Sequence, residues 1–86
     1  MDLDAKFTDA AARVKTLSAR PGNDVLLDLY ALFKQGSEGD ATGKRPSAFD
    51  LKGRAKYDAW ARRKGMGKDE AKAAYVALVD KLVAGG

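Results

Sequence analysis

At 86 residues with 45% hydrophobic side chains, the chain has the size of one domain, spanning residues 1–86, with a real but thin core that is expected to fold alone. It contains neither cysteine nor histidine, which excludes a disulfide framework and a thiolate metal site and removes both the commonest general base and the commonest metal ligand. A formal net charge of +4 invites an anionic partner, although a charge of that size on a small domain also serves solubility alone.

The N-terminal residues, Met1 to Lys6, are acidic and lack the apolar run of a signal peptide. From Asp4 to Ser18 the apolar positions Phe7, Ala10, Ala11, Val14 and Leu17 recur at intervals of three and four, which predicts a first helix with one buried face. Arg20-Pro21-Gly22 ends it, because proline cannot continue a helix and glycine permits a turn. Asn23 then reads as an N-cap, with a second helix from Asp24 to about Ser37 and Asp24 placed favourably toward its dipole.

That helix stops in Gly36-Ser37-Glu38-Gly39-Asp40. The stretch GSEGDATGKRPSAFD, Gly36 to Asp50, has no sustained period and exceeds the usual length of a helix connection. A short, basic third helix is predicted from Leu51 to about Lys64, ended by Gly65-Met66-Gly67. The fourth has the clearest face, Ala71, Ala74, Tyr75, Leu78, Val79 and Leu82, with Gly67 as a tolerable N-cap, Glu70 in the first turn, and two terminal glycines expected to fray. Its longest apolar run, Ala73 to Val79, is too short to span a bilayer, so a cytoplasmic location without stable membrane insertion is expected. The fold class is thus all-α, four helices around a single core with a long loop between the second and third, and no internal repeat is visible.

Two stretches carry the functional signal. On the second helix Leu26, Tyr30 and Phe33 occupy a narrow arc with Lys34 at its edge. On the third, Leu51, Ala55 and Ala59 form a weak apolar stripe flanked by the basic row Lys52, Lys56 and Arg63. Aromatic residues at this spacing usually fill a core, and a flanking lysine usually lays its stem on the rim. Two such helices facing each other would instead suit an amphipathic anion. A phosphate between Lys34 and Lys56 would gain charge-assisted hydrogen bonds, with the Tyr30 hydroxyl as a further donor. Trp60 is assigned to packing.

Neither the P-loop pattern nor the dinucleotide fingerprint occurs, and no hydroxyl is spaced toward a recognisable base, so no enzyme and no cofactor are expected. Residues 44–72 hold ten of the 16 basic residues and four of the 12 acids, which is either a solvated face or an anion-binding footprint.

In four places the chain resembles the acyl-CoA-binding proteins: YALFKQ followed by GD, RP in the long loop, DLKGRAKYDAW, and AKAAYVALV in the last helix, in order and at nearly constant spacing. The resemblance covers almost the whole chain and implies an up-down-down-up four-helix bundle that holds a long-chain fatty acyl-CoA without catalysis. It places the 3'-phosphate of the CoA ribose on Tyr30, Lys34 and Lys56, and the adenine on Phe33. Further contacts would fall on Lys15, Lys52 and Tyr75, the last near the pantetheine or thioester, while Ala10, Leu26 and Leu27 would line the acyl path. A tryptophan common in the family is Tyr57 here, its alanine-threonine is Gly36-Ser37, and Met66 stands where many members have a small or polar residue. These departures bear on acyl preference and on the end of the second helix, where glycine costs up to ~1 kcal/mol against alanine.

The expected function is a carrier that sequesters acyl-CoA esters, as a monomer with no nucleic acid bound. The residues alone leave two other classes open: a small basic module for nucleic acid, with residues 44–72 as its footprint, and a helix-groove protein-interaction domain.

Overall fold

The computed structural model describes residues 2–85 and consists of α1 (Leu3–Arg13), a 3-10 turn (Val14–Thr16), α2 (Asn23–Glu38), α3 (Leu51–Ala61) and α4 (Lys68–Gly85). Asp2 caps α1 by accepting the Ala5 amide at 2.7 Å, and Asp50 caps α3 by accepting that of Gly53 at 2.9 Å.

Cross-helix pairs give the directions. Asp4 meets Lys72 at 2.6 Å and Arg13 meets Asp80 at 2.7 Å, so α1 and α4 run parallel. Phe33 packs edge-on to Tyr75 while Gly36 lies against Lys72, so α2 runs antiparallel to α4. Tyr30 faces Lys56 and Lys34 faces Trp60, so α3 runs parallel to α2. The result is an up-down-down-up four-helix bundle. Two parallel consecutive helices need a connection that returns along their length, which is why the segment between Glu38 and Leu51 is long.

Helices α2 and α4 form the middle pair, with α1 laid on α4 and α3 on α2. Phe7, Ala10, Leu29, Leu32, Tyr75 and Val79 make the central cluster, whose burial supplies most of the driving force. Because α1 and α3 do not pack on each other, the molecule is shallow, 37 × 28 × 15 Å.

The crossover segment is tied down by polar contacts rather than by a core of its own. The Trp60 indole donates to the Gly39 carbonyl at 2.8 Å, the Tyr57 hydroxyl to that of Gly43 at 3.2 Å, and Arg45 grips Asp58 with two bonds of 2.9 and 2.7 Å. Fully buried Gln35 donates through Nε2 to Asp40 Oδ1 and to the Met66 carbonyl, both at 2.8 Å, and the Gly65 amide reaches the same carboxylate oxygen at 2.9 Å. The end of α2 is thereby locked to the turn before α4.

Several expectations need correction. The first helix stops at Arg13 and tightens into the 3-10 turn, where the Thr16 hydroxyl takes the Arg13 carbonyl at 2.7 Å, instead of continuing to Ser18. Asn23 is the first residue of α2, and Gly22 occupies the cap position without a side-chain bond. Helix α3 ends at Ala61, with Arg62 to Gly65 as turn, because the Arg63 and Lys64 amides bond to the carbonyls three residues back, at 2.9 and 3.2 Å, and the left-handed Gly65 (φ 90°) then turns the chain away. Gly67 does stand in the cap position before Lys68, its carbonyl accepting the Ala71 amide at 2.9 Å and its own amide donating to Glu70 at 3.4 Å. Gly85 is still helical, and Gly86 lies outside the described residues.

Candidate functional site

The buried residues of α2 are Leu29, Ala31, Leu32, Gln35 and Gly36, not the arc Leu26–Tyr30–Phe33. Leu26, Leu27 and Tyr30 are instead half-buried and turn toward α3. They form one wall of an open groove of about 320 Å³. Leu51 and Ala55 of α3 form the other wall, while Arg20, Asn23, Lys52 and Lys56 supply its polar rim.

Leu51 remains 76% exposed and Ala55 is exposed, so of the predicted α3 stripe only Ala59 is buried. An amphipathic helix that packs on a single neighbour leaves part of its apolar surface in water, and here that surface is the groove.

The basic row divides. Lys52 and Lys56 border the groove, and the Lys56 ammonium lies 5.5 Å from the Tyr30 ring centroid, within cation–π range. Arg63 faces away from them and pairs with Asp28 at 3.1 Å, beside a separate depression of about 410 Å³ that also contains Leu27, Arg62 and Asp24. Among the described residues neither Lys52 nor Lys56 has an ion-pair partner, which leaves both available to an anion.

Lys34 is engaged differently. Its ammonium pairs with Glu38, one turn on, and sits 4.8 Å from the Trp60 ring centroid. The hydrogen bond that Lys34 donates to Glu38 raises the Lys34 pKa, burial opposes it, and the charge of Glu38 adds to the rise. Each lysine thus lies over its own aromatic ring, Lys34 over Trp60 and Lys56 over Tyr30.

Phe33 stacks on Phe7 with centroids 5.2 Å apart and stays 38% exposed. Tyr75 completes the trio edge-on, 5.2 Å from Phe7 and 5.7 Å from Phe33, and burial pushes its phenol above the ordinary value. Ala10 is fully buried and lines no groove, and Lys15 is exposed on the 3-10 turn away from the α2–α3 walls. Trp60 is buried, as its assignment to packing expected, with its indole N–H spent on Gly39.

Sequence reasoning missed Arg20 and Asn23, whose turn carries no period to announce a face, and it missed Glu38. The positive surplus of residues 44–72 is also partly neutralised from outside the segment, since Arg63 and Lys72 pair with Asp28 and Asp4. A further void of about 460 Å³, between Thr16–Pro21 and the end of α4, holds none of the expected site residues. Among the described residues no acidic cluster could hold a metal ion, and no helix is long and apolar enough to cross a membrane.

These features define a class: a small helical bundle that presents, between two parallel helices, an apolar groove rimmed by cations and a tyrosine. Comparison with known proteins carries this further. The acyl CoA binding protein family model matches residues 4–79. Acyl-CoA-binding protein homolog 1 of Caenorhabditis elegans is 62% identical over 78 residues, 91% of each chain, and the acyl-CoA-binding protein of Saccharomyces cerevisiae is 42% identical over 78 residues, 91% of this chain and 90% of the yeast protein. The crystal structure of Oryza sativa acyl-CoA-binding protein 2 superposes with a TM-score of 0.93 at 39% identity, covering 98% of this chain and 93% of the rice protein. The chain belongs to the acyl-CoA-binding protein family. Its members are carriers and not enzymes.

Proposed function

We propose that residues 1–86 act as one monomeric domain that binds and sequesters long-chain fatty acyl-CoA esters in the cytoplasm. The observation that carries this reading is the groove between α2 and α3, apolar on both walls and cationic at its rim. A fatty acyl-CoA has the same division, with a hydrocarbon tail at one end and phosphates at the other.

In this reading Lys34 and Lys56 hold the 3'-phosphate of the CoA ribose with the Tyr30 hydroxyl, and Lys52 and Lys15 add positive field along the head. Phe33 offers its exposed surface to the adenine. The tail lies along Leu26 and Leu27, which line the groove, and Tyr75, beside Phe33 in the aromatic cluster, stands toward the pantetheine end. No covalent step is involved. Sequestration follows from moving methylenes out of water at about 0.8 kcal/mol each, so two further carbons inside the groove tighten binding by roughly an order of magnitude.

The test is calorimetric titration with CoA, octanoyl-CoA and palmitoyl-CoA below their micelle-forming concentrations. Weak binding of CoA that strengthens steeply with the tail, at one-to-one stoichiometry, is the expected result. Affinity independent of tail length, or no binding of any of the three, would overturn the carrier.

A further inference from the structure

We propose that Glu38 is an intramolecular competitor for Lys34, a built-in carboxylate that the ligand's phosphate must displace and that thereby lowers the share of affinity supplied by the head group. The inference rests on the phosphate role assigned to Lys34 above.

Three observations converge. First, Lys34 and Glu38 are ion-paired, with the lysine side chain 24% exposed and the carboxylate 51% exposed, so the lysine is the more sheltered member and the acid the freer one to leave. Among the described residues Lys34 is the only hydrogen-bond or ion-pair partner of Glu38.

Second, local helix energetics do not explain the acid. Glu38 is the last residue of α2, where a carboxylate faces the negative end of the helix dipole. Lysine followed four residues later by glutamate is also the less favourable order for such a pair. Its neighbour Asp40 differs, because that carboxylate is held by Gln35 and by the Gly65 amide and has a clear structural part.

Third, the site is asymmetric. Lys52 and Lys56 are free of ion pairs among the described residues, whereas Lys34 is neutralised from within. Binding a phosphate at Lys56 replaces water, but binding it at Lys34 exchanges one anion for another. The Trp60 ring, 4.8 Å from the ammonium, keeps Lys34 in place during that exchange.

An exposed pair of this kind contributes about 0.2–1 kcal/mol, so Glu38→Gln is expected to tighten CoA binding by about 1.4- to 5-fold. The gain should be smaller for 3'-dephospho-CoA, smaller still in a Lys34→Ala background, and reduced by salt. In the ligand-free variant the Lys34 ammonium, followed by NMR, should titrate at lower pH than in the parent. Asp9→Asn, on α1, makes the same change in net charge and should leave CoA affinity near that of the parent.

If Lys34→Ala weakens CoA binding while Glu38→Gln leaves it unchanged, the competitor is wrong and the phosphate site stands. If neither substitution matters, the phosphate site itself is wrong. An equal gain from Glu38→Gln with and without Lys34 would mean a general charge effect, and would also overturn the proposal.

Discussion

The Lys56 ammonium lies 5.5 Å from the centroid of the Tyr30 ring, across the seam where α3 runs parallel to α2. Neither residue meets the other along its own helix. Their proximity is a product of the crossover segment, which brings α3 back beside α2 in the same direction.

That pairing makes Lys56→Ala a sharp test of where the head group sits. A charge-assisted hydrogen bond to phosphate is worth about 1.5–3 kcal/mol, so the variant should bind CoA and palmitoyl-CoA more weakly by about one to two orders of magnitude, and by the same factor for both. A loss confined to the long-chain ester would place Lys56 on the tail instead.

The Arg45–Asp58 clamp should be visible in acid. Hydrogen bonding from Arg45 holds the Asp58 carboxyl below the ordinary range, with the charges of Arg45, Arg54 and Arg62 acting in the same direction. A depressed native pKa stabilises the fold above the unfolded value, about 4, and that contribution disappears as pH falls through the native value. Asp58→Asn should therefore be less stable than the parent at pH 7, with the gap closing at pH 2.5 in urea titrations. A gap of equal size at both pH values would remove the carboxylate's charge from the explanation.

Gly36 sits at a close approach of helices rather than at a defect. A Cβ there would lie 3.0 Å from Lys72 Cγ and 3.3 Å from Phe7 Cζ. Gly36→Val is expected to cost about 1–3 kcal/mol through overpacking. Gly36→Ala, where alanine's helix preference of about 1 kcal/mol opposes milder crowding, should stay within about 1 kcal/mol of the parent. Thermal denaturation ranks the three, and a valine variant as stable as the parent would show that α2 and α4 can part without cost.

The Gly36 result also shows where sequence reasoning goes astray. Helical propensity marks glycine as a weakness at the end of α2, whereas its environment shows a place where a larger residue meets Lys72 and Phe7. Similarly, the arc Leu26–Tyr30–Phe33 was legible as one face of α2 but not as the face left beside the core. Phe33 alone of these joins the Phe7–Tyr75 aromatic cluster, while Leu26 and Tyr30 open onto α3.

The sequence by itself determined the four helices, their breaks at Pro21 and the glycines, and the long crossover. These are local properties, because a 3.6-residue period and a turn residue act within a few positions of chain. Only the tertiary structure decided that Lys56 faces Tyr30, that Lys34 is held by Glu38 and Trp60, that Arg63 turns to Asp28, and that Ala10 is enclosed. Periodicity states which residues share a face of one helix. Which neighbour covers that face depends on contacts between residues distant in sequence, and those exist only once α2 has packed against both α3 and α4.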